Sequence, residues 1–315
     1  MAAPILVTGA AGFVGSHLLD VLEKRPTPVV GWHRPDAGPS GSRRGVQWVS
    51  IEMLDRSAVG QALSDLRPAA VYHLAGAPHV AQSWHNTLET YQGNVLVTHN
   101  LFEGLRAAKL RPRVFVAGSA TIYRPQERPI HEEDSLAPAS PYATSKLVQE
   151  MLARRAWHTD GLPTLIARSF NHVGPRQDPS FVASSIARQI ALIEAGRQEP
   201  VLMMGNLEAL RDLTDVRDTV RAYVAMMDKA QPGRPYNVCS GRAVAIGTLV
   251  GTFIARAQVE VKIEQDPSRY RPNDVPILVG DHHRLSSDTG WNPEIPLART
   301  VDDLLDYWRR RVREG

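Results

Sequence analysis

One cysteine, Cys239, stands among 315 residues, so no disulfide can form within the chain. That fits a reducing compartment such as the cytoplasm. It falls in the strand-like run Tyr236-Asn237-Val238-Cys239 with no activating neighbour, which points to buried packing rather than a nucleophile. No apolar run approaches the ~20 residues that span a bilayer, so a membrane helix is not expected. Met1 leads almost at once into Ile5-Leu6-Val7, without a basic segment or cleavage site, so neither is an export signal. The formal charge is only +3 and lysine and arginine do not gather into blocks, so nothing marks a nucleic-acid surface. The short run Arg309-Arg310-Arg311 closes a helical pattern, where cations suit the dipole. His131-Glu132-Glu133-Asp134 and Asp281-His282-His283 lack both the helical spacing of zinc ligands and a second cluster, so no metal is expected. Internal repeats, heptads and low-complexity tracts are absent as well.

What is present is ample apolar material. At 43% hydrophobic, the chain can bury one large core or two modest ones. Ile5-Leu6-Val7-Thr8 reads as a buried strand. The glycine turn Gly9-Ala10-Ala11-Gly12-Phe13-Val14-Gly15 follows it, and then a helical pattern through Val14, Leu18, Leu19 and Leu22 that ends before Pro26. Strand, glycine turn and helix in this order is the context in which backbone N–H groups cradle a pyrophosphate. Further strands are expected at Pro28–Arg34, Val46–Ser50, Ala70–Leu74, Arg113–Ala117 and Pro163–Arg168, with helices between them, one running from Thr90 to Leu110. Such alternation implies an α/β fold, a Rossmann-type doubly wound parallel sheet. Residues 1–170 would form the dinucleotide-binding domain, with segments returning from roughly 212–240. Residues 171–315 would mainly build a smaller interleaved α/β substrate-binding part.

The cofactor reading can be refined. An NAD site usually carries Asp or Glu at the end of the second strand, roughly 20 residues past the glycines, to hold the ribose 2′-hydroxyl. Here His33 and Arg34 stand there, and a guanidinium suits a 2′-phosphate, so NADP(H) is favoured and NAD(H) is the alternative. Glu52 and Met53 follow the third strand, within reach of an adenine. Leu74, Ala75 and Gly76 close the fourth strand, where a small residue lets a cofactor pass.

The chemistry concentrates between Ser119 and Lys146. Ser140-Pro141 is a helix start, an oxygen to cap free N–H groups followed by a preset φ. Tyr142 and Lys146 lie four apart on that helix and share a face. An ammonium beside a phenol is expected to lower its pKa and prepare it for proton transfer. Ser119 comes from the C-terminal end of a strand, where open parallel sheets bind ligands, and would hold the substrate oxygen. An ordinary Tyr-Lys pair on a solvated helix face is the competing reading. The glycine turn and Ser119-Ala120-Thr121 weigh against it.

Taken together, Thr8–Gly15, His73-Leu74-Ala75-Gly76, Ser119-Ala120-Thr121 and Tyr142-x-x-x-Lys146 resemble the extended short-chain dehydrogenases/reductases, along essentially the whole chain. That family acts on nucleotide sugars as epimerases, dehydratases and reductases. Arg168–Pro175, Gly205–Asp212 and Arg271–Pro276 are similar to its GDP-mannose branch. Thr214–Asp218 and Gly290–Pro296 are more like the reductases of that branch. The resemblance implies that Asn171 contacts the sugar diphosphate, that Arg211 and Arg271 face its phosphates, and that Asp274 faces its ribose. His79 and Ser83 would meet the sugar, although helix capping and surface packing explain them equally well.

Dehydratases of the branch resemble one another in a carboxylate after the active-site Ser/Thr, the general base for the C5 proton. Thr121 occupies that place here, so dehydration is disfavoured. The resemblance therefore implies NADPH-dependent reduction of a GDP-4-keto-6-deoxyhexose by Ser119, Thr121, Tyr142 and Lys146. Ser119–Tyr123 also resembles UDP-hexose 4-epimerases, which makes a nucleotide-sugar 4-epimerase with bound NAD the first alternative. A cofactor sensor without turnover is the second. The family usually has glycine where this chain has Arg124. Pairing into a homodimer through the helices Thr90–Lys109 and Tyr142–Thr159 is likewise implied.

Overall fold

The period-two alternation of Leu6 and Val7, Val29 and Val30, or Val114 and Phe115 sends successive side chains to opposite faces of one sheet, and both faces are buried. The computed structural model describes residues 3–38, 43, 45–266 and 275–314. In chain order it begins β1 (Ile5–Thr8), α1 (Phe13–Leu22), β2 (Val29–His33), β3 (Val46–Ser50), α2 (Arg56–Leu66) and β4 (Ala70–His73). There follow α3 (Thr87–Tyr91), α4 (Val97–Ala107), β5 (Arg113–Ser119), α5 (Pro141–Asp160) and β6 (Thr164–Ser169). The second half contributes β7 (Asn171–Val173), α6 (Val182–Glu194), β8 (Val201–Met204), β9 (Leu210–Asp215), α7 (Val216–Lys229) and β10 (Pro235–Val238). It ends with β11 (Ala243–Ala245), α8 (Ile246–Ile254), β12 (Lys262–Gln265), β13 (Ile277–Leu278), α9 (His283–Thr289) and α10 (Leu297–Glu314).

Seven strands pair in the order β10-β6-β5-β4-β1-β2-β3. Every pairing in this sheet is parallel. The order reverses between β1 and β4, which opens a crevice at their carboxyl ends. Leu18, Leu19 and Leu22 of α1 and Val220, Tyr223 and Met226 of α7 cover one face. Leu63 of α2, Leu101 and Leu105 of α4, and Ala153 and Ala156 of α5 cover the other. β10 enters the sheet only after the chain has left it, so the second half is threaded through the first.

The remaining strands form two small sheets, β11-β9-β13 with β7 beside β9, and β12-β8. They enclose their own core with Ile186 and Ile190 of α6, Leu249 and Phe253 of α8, and Leu304 and Leu305 of α10. The expected single helix from Thr90 to Leu110 is instead α3, a π-turn over Gln92–Leu96 and α4. The wide turn admits Asn94, whose side chain leaves the helix to hydrogen-bond Ala77 and Ser145.

Candidate active site

β1, β4 and β5 end side by side and deliver the glycine turn, Leu74-Ala75-Gly76 and Ser119 to the crevice. Gly9 has φ +66°, and a Cβ there would lie 2.7 Å from the Ala75 amide nitrogen. Gly12 opens α1 without a side-chain cap, so the first turn keeps free N–H groups for an anion. A Cβ on Gly76 would meet the Asn94 amide oxygen at 2.5 Å. Phe13, the first residue of α1, stacks on His172 of β7 with ring centroids 5.9 Å apart. His172 is half-buried, and the desolvation lowers its pKa.

Helix α5 starts as its sequence suggests. Ser140 accepts from the Ala143 N–H at 3.1 Å and Pro141 fills the first turn. Gly161, in the left-handed region, ends it. Tyr142 and Lys146 project from its first turns, with the ammonium 5.9 Å from the centre of the phenol ring. Lys146 Nζ donates to the Ala117 carbonyl and to Gln149 Oε1, both at 2.9 Å. Ser119 Oγ lies 3.0 Å from Thr121 Oγ1 and accepts from the Thr121 N–H at 3.2 Å. The residue pair Ser119 and Ser169 is in register across β5 and β6, and Ser169 Oγ meets the Tyr223 hydroxyl at 2.7 Å.

Electrostatically the site departs from the expectation for a Tyr-Lys pair. Tyr142 does not stand below its ordinary value but above it: burial raises it, and the Ser119 hydroxyl offsets only part of that. The same burial lowers Lys146 to about 8. A neighbouring ammonium does favour phenolate, but desolvation of both groups is the larger effect here. At neutral pH the pair is a neutral phenol beside an ammonium, the form that can give a proton.

His33 Nδ1 meets the Arg34 carbonyl at 2.8 Å, and the Arg34 guanidinium, well exposed, lies 3.5 Å from Asp36. Glu52 Oε1 accepts from the Leu54 N–H at 2.9 Å. Met53 turns its side chain into the core, and its carbonyl is held by Asn100 at 2.9 Å. Ala75 donates its N–H to Thr8 Oγ1 at 3.2 Å. His79 stacks on Phe181 at 5.1 Å, joining the loop after β4 to the start of α6. Ser83 is fully buried: its hydroxyl donates to Val80 and accepts from the Tyr142 N–H at 3.2 Å, so it serves the start of α5. Asn171 is exposed at the start of β7, and Arg211 donates to the carbonyls of Leu210 and Val275. Arg271 and Asp274 lie outside the described residues. Arg124 needs no glycine-like backbone: among the described residues only Arg67, Lys109 and Arg176 are non-glycines with positive φ.

Three polar residues around the site escaped the sequence reading, Asn94, Thr98 and Gln149, while His73 and His172 entered it only as members of motifs, without a role. Their signal is faint, a polar side chain at a position the apolar period assigns to the core. Asn94, Thr98 and Gln149 are all fully buried.

Comparison with known proteins agrees with this geometry. Residues 6–304 match the family described as GDP-mannose 4,6 dehydratase. A GDP-6-deoxy-D-mannose reductase of Pseudomonas aeruginosa is 37% identical, over the full length of both chains. The solved structure of RMD from Pseudomonas aeruginosa complexed with NADPH superposes with a TM-score of 0.86 at 35% identity, covering 98% of this chain and all of that one. A UDP-glucose 4-epimerase from Thermotoga maritima with UDP-glucose superposes with a TM-score of 0.88 at 25% identity, covering 98% of this chain and 99% of that one. The glycine turn, the Ser119–Thr121 pair and the Tyr142–Lys146 helix thus sit in a chain that belongs to the GDP-mannose 4,6 dehydratase family.

Proposed function

We propose that the chain is an NADPH-dependent reductase of the C4 keto group of a GDP-linked 4-keto-6-deoxyhexose. The observation that carries this reading is Thr121, hydroxyl to hydroxyl with Ser119 at 3.0 Å, where dehydration would need a carboxylate base. The full-length likeness to a GDP-6-deoxy-D-mannose reductase supports the activity and the sugar, and the likeness to RMD with NADPH supports the cofactor.

The residues present fit a dinucleotide. A side chain at Gly9 or Gly76 would collide with its neighbours, and the uncapped turn at Gly12 suits a pyrophosphate. In this reading Gly9, Gly12, Phe13, Val14, Gly15, Leu74, Ala75 and Gly76 line the cofactor, Glu52 and Met53 flank its adenine, and Arg34 pairs with a 2′-phosphate. When bound, NADPH supplies the hydride. The protein's own part is the proton and the oxygen. Ser119 and Thr121 hold the carbonyl oxygen, Tyr142 gives it the phenolic proton, and the Lys146 ammonium stabilises the phenolate left behind. Burial keeps Tyr142 protonated until that moment.

Residues 1–170 with 212–240 would carry the cofactor, and 171–315 mainly the nucleotide sugar. Asn171, Arg211 and Arg271 would meet the diphosphate, Asp274 the ribose, and His79 the sugar. Ser83 would act on the sugar only through the register of α5. The same reading makes the chain a cytoplasmic homodimer. No helix among the described residues is long and apolar enough to cross a membrane. Leu88 and Met151, 66% and 58% exposed, lie on α3 and α5, which pack together and would pair with a second copy. Light scattering after size exclusion should show a dimer, and Leu88→Glu a monomer.

The test is NADPH oxidation with GDP-, UDP-, dTDP- and CDP-linked 4-keto sugars. Stoichiometric consumption with the GDP sugar is expected, and Tyr142→Phe should lower it by roughly 10²–10⁴-fold. The likeness to a UDP-glucose 4-epimerase favours epimerisation as the second reading. Conversion of an intact hexose without net NADPH use, by protein that purifies with NAD⁺, would establish it instead. Cofactor binding with no turnover of any sugar would mark a sensor.

A further inference from the structure

Lys146 is a buried cation with no carboxylate against it among the described residues. Glu150, one turn further along α5, is the nearest in sequence, but it turns away to Arg168 and Arg154. The titratable groups that do face Lys146 are neutral. Tyr142 on the same helix stays a phenol because burial raises it. His73 from β4 is lowered to about 3 by burial, and His172 from β7 is lowered too. β5 offers only the Ala117 carbonyl. The remaining acceptor is the side chain of Gln149.

That side chain cannot turn round. Thr98 Oγ1 gives its one proton to the Asn94 carbonyl at 2.6 Å. It therefore accepts from both His73 Nε2, at 2.8 Å, and Gln149 Nε2, at 2.9 Å. A neutral imidazole that donates from Nε2 must accept at Nδ1, so Thr8 Oγ1, which accepts from the Ala75 N–H, gives its own proton to His73 Nδ1 at 2.8 Å. The histidine is thus the Nε2–H tautomer, and the Gln149 amide must present its nitrogen to Thr98 and its oxygen to Lys146. Each member of this chain is at most 7% exposed. It runs without a gap from Thr8, at the head of the glycine turn, to Lys146.

We infer that Gln149 is the positioning residue that keeps Lys146 charged and aimed into the crevice, and that it couples Lys146 to the glycine turn through Thr98, His73 and Thr8. The inference rests on the reductase reading for its catalytic meaning, but not for the geometry. Two of the three Lys146 donors are held by Ala117 and Gln149, which leaves one for the ribose of a bound dinucleotide. Without the Gln149 oxygen, an apolar contact would replace a carbonyl dipole at 2.9 Å from the ammonium. The charged form would then be less favourable.

The chain has only five lysines, Lys24, Lys109, Lys146, Lys229 and Lys262, so the charge on Lys146 can be read directly. Lysine labelled with ¹³C at Cε is followed by NMR across pH in the full-length protein, with Lys146→Arg assigning the signal. Gln149→Leu should move the Lys146 midpoint down by about one pH unit, and Gln149→Glu should move it up by about as much. NADPH titrations by fluorescence should follow the same order, with the Leu variant losing affinity at lower pH than the parent and the Glu variant at higher pH. Midpoints that stay with the parent in both variants overturn the inference. If the Leu variant does not fold, the isosteric Glu variant decides alone, by moving the midpoint or leaving it. None of these readouts needs a sugar, so a parent protein that reduces no keto sugar would overturn the proposed function and leave this result standing.

Discussion

Replacing Glu150 by Gln should be among the most damaging single changes that leaves the shape of the core intact. Arg168 and Glu150 are each 2% exposed. Arg168 donates through Nε to Oε2 at 2.9 Å and through NH2 to Oε1 at 2.6 Å. Its third arm, NH1, reaches the Tyr123 hydroxyl at 2.7 Å and the Glu132 carbonyl at 2.8 Å. Tyr123 passes the connection to Asn237 at 2.7 Å, which ties β10 to the segment that follows Ser119 and Thr121. The variant keeps one acceptor but removes the charge, so a buried guanidinium faces an amide. Breaking such a pair from one side is worth roughly 3–5 kcal/mol. Arg154 also loses its partner, but it is over a third exposed and adds little. Against a total stability of roughly 5–15 kcal/mol the loss is large. Urea unfolding followed by far-UV circular dichroism should show a lower midpoint with an unchanged slope. The double variant Arg168→Met, Glu150→Leu should recover most of the loss, because neither charge then has to be buried. pH supplies a further check. Burial would raise the Glu150 carboxyl, but Arg168 and Arg154 outweigh it and hold it below the ordinary carboxylate range. A depressed carboxylate stabilises the fold above its unfolded pKa, and that contribution is lost as pH falls through the folded value. The parent's advantage over Glu150→Gln should therefore shrink in acid. A loss under about 1 kcal/mol, or a double variant no better than the single one, would refute this account of the pair.

Two further outcomes follow from the site. Activity should fall above pH about 8, as Lys146 loses its proton. Its contribution to stability moves the opposite way: with its folded value lowered, it binds fewer protons folded than unfolded in that window, so the contribution rises with pH. Parallel activity and unfolding profiles of the parent and Lys146→Met separate the two. Arg34→Ala should raise the KM for NADPH by roughly tenfold or more and leave that for NADH nearly unchanged, since only the phosphorylated ribose needs the guanidinium. An equal rise for both coenzymes would place the 2′-phosphate elsewhere.

How far the sequence could be read depended on the range of each cause. The strand before the glycine turn, the Ser140-Pro141 start of α5 and the parallel sheet all follow from local period, caps and turns. The buried chain from Thr8 to Lys146 does not. His73, Thr98 and Gln149 come from three elements, and each alone looks like a polar residue misplaced in an apolar period. Only when β4, α4 and α5 pack do their donors and acceptors satisfy one another. Asn94 was hidden for a related reason, because a π-turn is a response to tertiary partners rather than to propensity. The direction of the Tyr142 shift was missed because burial, unlike the four-residue spacing to Lys146, cannot be read along one helix.

That direction bears on the choice between the two activities the scaffold hosts. A 4-epimerase must first take a proton from a hydroxyl, so its tyrosine has to start as phenolate. A reductase starts from the neutral phenol and only gives. With Tyr142 raised by burial and Lys146 brought down to about 8, the resting site sits on the acid side of that choice. Thr121 adds no base, and the Ser119 hydroxyl it holds can orient an oxygen but cannot take a proton at neutral pH. In a fold shared with reductases and epimerases alike, this chain thus presents a proton donor that suits reduction. Lys146, the cation beside that donor, is held by two carbonyl oxygens, those of Ala117 and Gln149.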